Sequence, residues 1–293
     1  MSSASKRSGS ATRLSLQRYA DATLQPDVDW VASEEPLELR LLYQDATALH
    51  CAQLSITMRT PGHDFELAAG FLHGESIIRS ASDVTSMAYC VEGGQEQLYN
   101  VVNVQLARGV AFDPARLLRH FYTTSSCGVC GKTSLQALEA QGCTPIAGDF
   151  RVPLELIGRL PHALRERQSL FERTGGLHAA GLFDAAGRVL AVREDVGRHN
   201  AVDKAIGWAL MAGKLPLSQS VLVLSGRAGF ELVQKAVLAG IPVVAAVGAP
   251  SSLAVTLAQR FQVTLLGFVS RERFNVYSGA QRLGAREGLA HGL

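Results

Sequence analysis

Apolar positions along the chain change rhythm twice, and each change marks a change of architecture. From Pro36 to Tyr43 and from Leu49 to Thr57 they fall in short runs around a polar connection, Gln44 to Ala48, which predicts two strands. Thr60-Pro-Gly-His-Asp then introduces Phe65, Leu67, Ala68, Phe71 and Leu72 at helical spacing, so a helix is expected from Asp64 to about Gly74. Val84 to Val91 and Gln97 to Leu106 read as strands around a Gly93-Gly94 turn. A helical stretch from Pro153 to Arg173, interrupted at Pro161, leads to a hairpin: His178 to Phe183 and Arg188 to Arg193, joined across Asp184-Ala-Ala-Gly187. Helix Asn200 to Ala212, strand Ser220 to Leu224, helix Ala228 to Leu238, strand Ile241 to Val247, helix Ser251 to Arg260 and strand Gln262 to Phe268 complete the pattern.

Strands that are apolar throughout belong to a sheet covered by helices on both faces, and ligands of such sheets gather beyond the strands' carboxyl ends. The expected architecture is therefore α/β, or α+β when the whole chain is counted. A polar, disordered tail (1–29) precedes a mixed and mostly antiparallel domain (30–150), and an α/β domain follows (151–293). Composition adds limits: 293 residues, a net charge of +2 and 47% hydrophobic residues describe an ordinary globular protein, with no basic excess to nominate nucleic acid. The first twenty residues are Ser-rich with Lys6, Arg7, Arg13 and Arg18, and lack the apolar run of a secretory signal, which favours a polar tail over a presequence. Ala236 to Gln259 carries no charge and is long enough to cross a bilayer, but Gly240, Pro242, Gly248 and Pro250 divide it into a strand, a turn and a helix start. A cytoplasmic protein is expected.

The five cysteines, at 51, 90, 127, 130 and 143, are too few for a disulfide scaffold and include one close pair, Cys127-Gly-Val-Cys130. That pair sits in a Ser/Thr/Gly loop, Phe121 to Thr133, with no core periodicity. No strand leads into it, as thioredoxin-like exchange would require. No second C-x-x-C or paired His completes a zinc site, although Cys143, His63, His178 and His199 could approach in space. What remains is a reachable thiolate at Cys127, favoured by loop N–H groups and Lys132, that can attack a persulfide and become one, with Cys130 to resolve or shield it. Cys51 and Cys90, on strands, are expected to be buried.

Two other regions carry candidate chemistry. Arg193 to Lys204, REDVGRHNAVDK, gathers cations and acids where a strand's carboxyl end meets a helix start, which makes Asp195 and His199 candidate ligand contacts, while Lys204 could equally pair with Asp203 or Asp195. The Gly175-Gly176 pair before His178 would let a bound group approach the backbone. Ser225-Gly226-Arg227 and Gly248 to Ser252, with Ser251 and Ser252 at a helix start, each follow an apolar strand and suit phosphate oxygens. Arg271 and Arg273 after the last strand add a third cationic patch, and together these point to a large phosphate-bearing ligand.

Several long segments resemble one family. SSCGVCGK at 125–132, REDVGRHNAVDK at 193–204, SGRAGFELVQKA at 225–236, GIPVVAAVGAPSSLAV at 240–255 and RFNVY at 273–277 are similar to the FdhD family, with EEPLELR at 34–40 and TPGHDFELAAGFL at 60–72 extending the likeness forward. Members usually carry Asp at the His63 position and EGII where this chain has Glu75-Ser-Ile-Ile78. The resemblance implies a sulfur carrier required for active formate dehydrogenase, with a cysteine desulfurase handing sulfur to Cys127. The persulfide would then deliver it to a molybdenum or tungsten cofactor carrying two molybdopterin guanine dinucleotides. It further implies a cytidine-deaminase-like C-terminal half without zinc, a cofactor segment at Phe268, Val269, Ser270, Arg271, Glu272 and Arg273, and a homodimer. Two competitors are a non-catalytic chaperone for the cofactor and apoenzyme, and a zinc hydrolase of deaminase type. The latter lacks its signatures, since His178 is followed by Ala-Ala and Ser126 stands where Pro would precede C-x-x-C.

Overall fold

The apolar strands of the C-terminal half do assemble as one covered sheet. In the computed structural model, which describes residues 9–45, 48–90, 97–113, 139 and 143–284, β7 (His178–Asp184), β8 (Val189–Asp195), β9 (Ser220–Leu224), β10 (Val243–Ala246), β11 (Thr264–Gly267) and β12 (Asn275–Ser278) lie in the order β12-β11-β10-β9-β7-β8. Only β9, β10 and β11 are mutually parallel; β7, β8 and β12 run antiparallel to their neighbours. Alternation sorts the side chains between two faces. Leu222, Leu224, Val244 and Leu265 pack under α4 (Arg198–Met211), α5 (Phe230–Leu238) and α6 (Ser252–Arg260). Val221, Val223, Val243 and Leu266 pack under α2 (Leu154–Arg165). The result is a three-layer α/β/α unit.

The expected break at Pro161 is displaced. α2 runs through Pro161, held by Ile157, Leu160 and Leu164 on the sheet, and ends at Arg165, after which α3 (Ser169–Thr174) begins. Proline removes a single helix hydrogen bond, which the buried face outweighs.

The N-terminal unit is a four-stranded sheet ordered β4-β3-β6-β5, from β3 (Glu35–Gln44), β4 (Leu49–Arg59), β5 (Val84–Tyr89) and β6 (Val101–Leu106). Its pairings are antiparallel except β3 with β6. Leu37, Leu39, Leu41, Leu54, Val102 and Val104 form its core beneath α1 (Asp64–Gly74). α1 in turn crosses α4 so closely that a Cβ on Gly70 would lie 1.9 Å from the Asp203 carbonyl oxygen, and one on Gly207 1.8 Å from that of Glu66. Two glycines thus fuse the units.

Two expectations are corrected. Residues 1–29 do not form a tail throughout: β1 (Ala11–Ala20) and β2 (Thr23–Ala32) make an antiparallel hairpin. Its side chains are largely exposed, which is why apolar patterning misses it, but its base is tied down. Ser10 donates to the Pro61 carbonyl at 2.7 Å, the Ser33 N–H to Ser10 at 3.0 Å, and Arg173 of α3 lies 3.4 Å above the Trp30 ring. Cys51 is exposed and Cys90 half-buried, because β4 and β5 are the edges of their sheet and their outward positions meet solvent. No described helix is long and apolar enough to cross a membrane; the uncharged stretch from Ala236 becomes the end of α5, then β10 and α6.

Candidate functional site

The sheet's carboxyl edge collects residues far apart in sequence. β9 delivers Ser225, β10 Val247 and Gly248, and β11 Phe268, while the antiparallel pair β7/β8 brings His178 opposite Asp195. Backbone bonds stitch the loops together: the Gly248 N–H donates to Gly226 at 2.9 Å, Phe268 to Gly248 at 3.2 Å, and Ser251 to Ala228 at 3.0 Å. Gly226 fits closely beside His178, since a Cβ there would stand 3.3 Å from Nδ1. Between this edge and α2 and α3 lies a cavity of about 690 Å³, lined by Arg165, Gln168, Phe171, His178, Ser225, Val269 and Ser270 among others. Its size and mixed lining fit a small organic ligand.

Of the expected cofactor segment, Val269 and Ser270 line this cavity. Val269 is buried and its N–H donates to Ala246 at 3.0 Å, while Ser270 Oγ donates to the Arg273 carbonyl at 3.0 Å. Gly158 of α2 lets this loop approach, as any Cβ there would meet the Arg271 carbonyl oxygen at 2.8 Å. Phe268 has φ 52° and a half-exposed ring. A bulky residue in the left-handed region is strained, and such strain concentrates where function requires it. Arg271, Glu272 and Arg273 are exposed.

Other sequence-derived candidates are placed differently. Ser225 Oγ accepts from the Ala179 N–H at 2.8 Å, and Ser251 Oγ from Ala254 at 3.3 Å as the cap of α6. Arg227 and Ser252 are exposed at their helix starts. His199 lies outside the 690 Å³ cavity: its Nε2 is 2.6 Å from Glu231, in a neighbouring cavity of about 570 Å³ that also holds Asn200, Asp203 and Lys235. Val196 lines both cavities. The Glu231 carboxyl is held below its ordinary range by the hydrogen bond with His199. His178 is shifted down by burial and then by the charges of Arg198 and His199, so it is neutral at physiological pH.

Asp195 lines neither of these cavities. It is fully buried, accepts from Thr60, Gly197 and Asn200 at 3.1, 2.8 and 3.0 Å, and pairs with Lys204 at 2.7 Å. The cluster at 193–204 is instead the joint between units. Lys204 also donates to the Thr60 carbonyl at 2.9 Å, and Asn200 to that of Met58 at 2.8 Å. Arg193 grips Glu66 of α1, at 2.7 Å for Nη2. Burial alone would raise the Glu66 pKa, but the bonds from Arg193 and His63 hold it at about 2. Among the described residues no group of three or more His, Cys, Asp or Glu is arranged to hold a metal. Cys127 and Cys130 lie outside the described residues. Gln168, Arg165 and Phe171 were missed in the sequence, where a helical stretch signals packing and not lining.

Comparison with known proteins decides the family, since residues 32–284 match the FdhD/NarQ family model. The chain belongs to the FdhD/NarQ family. A relative from Streptomyces coelicolor is 50% identical over 286 residues, 96% of this chain and 98% of its own length, and one from Mycobacterium tuberculosis is 50% identical over 259 residues, 86% and 91% respectively. Both are named sulfur carrier protein FdhD. The fold of this FdhD/NarQ chain also matches a crystal structure described as a formate dehydrogenase accessory protein from Desulfotalea psychrophila. The TM-score is 0.72 at 24% identity, covering 94% of this chain and 99% of the other.

Proposed function

We propose that this chain is a sulfurtransferase that carries persulfide sulfur on Cys127 from a cysteine desulfurase to a molybdenum or tungsten bis(molybdopterin guanine dinucleotide), before that cofactor enters formate dehydrogenase. The observation that carries the reading is the Cys127-Gly-Val-Cys130 pair in a chain half identical to named sulfur carriers over nearly its whole length. The Cys127 thiolate attacks the outer sulfur of the donor's persulfide; a new S–S bond forms as the donor's breaks, and the donor leaves as a thiolate. No external redox agent is consumed. Delivery as hydrosulfide takes two electrons, which Cys130 supplies by attacking the inner sulfur and closing a Cys127–Cys130 disulfide.

The cavity at the sheet's carboxyl edge supports the acceptor side of this reading. It is the place where ligands of such sheets bind, and Val269 and Ser270 of the 268–273 loop line it. Neutral His178 supplies a hydrogen-bonding group there without a charge. The reading extends to a homodimer, which places two dithiols near one acceptor with two nucleotides; light scattering checks the mass. The functional test is activation of formate dehydrogenase in a strain lacking the endogenous carrier. Wild type restores activity, and Cys127→Ala does not. Full restoration by Cys127→Ala would instead mark a chaperone that binds the cofactor without transferring sulfur.

A further inference from the structure

Arg282 is a buried cation without a counter-charge. It is 5% exposed, it makes no ion pair among the described residues, and burial holds its guanidinium below the ordinary range. Of the five N–H donors of an arginine, two go to carbonyls here: Nη1 donates to Gln262, and Nη2 to Ile146 at 2.5 Å. The Nε–H is buried and has no partner among the described residues. Clamping two carbonyls needs donors but no buried charge, so the charge and the stranded Nε–H are a cost that the clamp leaves unanswered.

Arg282 lines a cavity of about 190 Å³ beside Gln262, at the amino end of β11. This cavity shares no lining residue with the 690 Å³ cavity at the opposite edge of the sheet. It is smaller than the roughly 300–1,000 Å³ that drug-sized ligands occupy, and suits an ion. Arg151 brings a second guanidinium to the lining; it is exposed, and its Nη1 donates to the Gln281 carbonyl. The single acid in the lining is Asp149, which is exposed, so the cations outnumber the acids.

We infer that Arg282 and Arg151 bind a small tetrahedral oxyanion, inorganic phosphate or sulfate, in this cavity. A guanidinium presents Nε–H and an Nη N–H side by side, a fork that matches two oxygens of one oxyanion and that a halide cannot fill. The anion supplies both the missing counter-charge and the acceptor for Nε–H. It would also steady the chain around it, because Arg282 holds Gln262 and Ile146 through its side chain and accepts the Val152 N–H at 2.9 Å on its carbonyl.

Nuclear magnetic resonance of the full-length chain with ¹⁵N-labelled arginine reads the Nε–H groups directly. Titration with potassium phosphate or potassium sulfate should shift one Nε–H signal saturably, and potassium chloride at the same ionic strength should not. That signal should be absent from Arg282→Lys. Arg151→Met, at an exposed position, should weaken the oxyanion about tenfold by removing one charge-assisted contact. No saturable shift with either oxyanion, an equal shift with chloride, or a shifting signal that persists in Arg282→Lys would overturn the site, leaving Arg282 as a clamp on carbonyls. Unchanged affinity in Arg151→Met would overturn its two-arginine form. Should Arg282→Lys fail to fold, the wild-type titration and Arg151→Met still decide. Neither Cys127 nor the 690 Å³ cavity enters the measurement, so its failure leaves the function proposed above standing.

Discussion

Lys204 and Asp195 are 1% and 0% exposed and 2.7 Å apart, so among the described residues each compensates the other's charge at the joint between the two units. Lys204→Met should cost about 3–5 kcal/mol by urea unfolding, because it strands a buried carboxylate. A loss under about 1 kcal/mol would show that the hydrogen bonds from Thr60, Gly197 and Asn200 suffice for Asp195. The Glu66–Arg193 pair makes a pH prediction. Glu66 sits at about 2 in the fold against an ordinary value of 4.5, so its contribution is fully present above pH 4.5 and is lost as pH falls from 4.5 through 2. Arg193→Met should flatten that part of the acid-unfolding profile; an unchanged slope between pH 4.5 and 2 would contradict the pairing. At this scale the sequence was half legible. The junction at 193–204 was identifiable as special from its density of charge, but whether a charge faces a ligand or a neighbouring unit depends on contacts such as Thr60 to Asp195, 135 residues apart.

Among the elements, α1 and α4 pack at backbone distance. Gly207→Ala would drive its methyl into the Glu66 carbonyl, where backbone must yield, and should destabilise the fold by about 3 kcal/mol or separate the units; calorimetric unfolding reads either outcome. A cost within about 0.5 kcal/mol would show that the crossing is looser than its geometry. The β1–β2 hairpin has little core of its own, and an isolated hairpin is at best marginal in water. Its Trp30 contact to Arg173 therefore steadies both the hairpin and α3, the element beside the cavity. Trp30→Ala should speed proteolysis between residues 9 and 32, and unchanged cleavage would deny the brace. Strands β7, β9, β10 and β11 were legible because their apolar runs bury both faces, and the edge strand β8 because the Asp184–Gly187 turn pairs it with β7. The hairpin was not, because its pairing leaves most side chains in water, and β12 was missed because it is a short edge with exposed Asn275 and Val276.

On the scale of the whole molecule, the dithiol and the cavity are joined by chain connectivity. Residues 127 and 130 fall in sequence between β6, which belongs to the N-terminal sheet, and α2, which borders the cavity, so the proposed sulfur-bearing pair stands between the two units along the chain. The anionic, nucleotide-bearing acceptor proposed above calls for placed groups, helix starts and a few arginines, and a near-neutral chain is compatible with it because no global basic excess is needed. The claim that governs all of this is that Cys127 carries sulfur. Intact-mass spectrometry of the wild-type chain after incubation with a cysteine desulfurase and cysteine should show a gain of about 32 Da. The added mass should localise to Cys127, vanish on reduction with dithiothreitol and be absent in Cys127→Ala. A wild-type chain that gains no sulfur, or a Cys127→Ala chain that gains as much, would contradict the account.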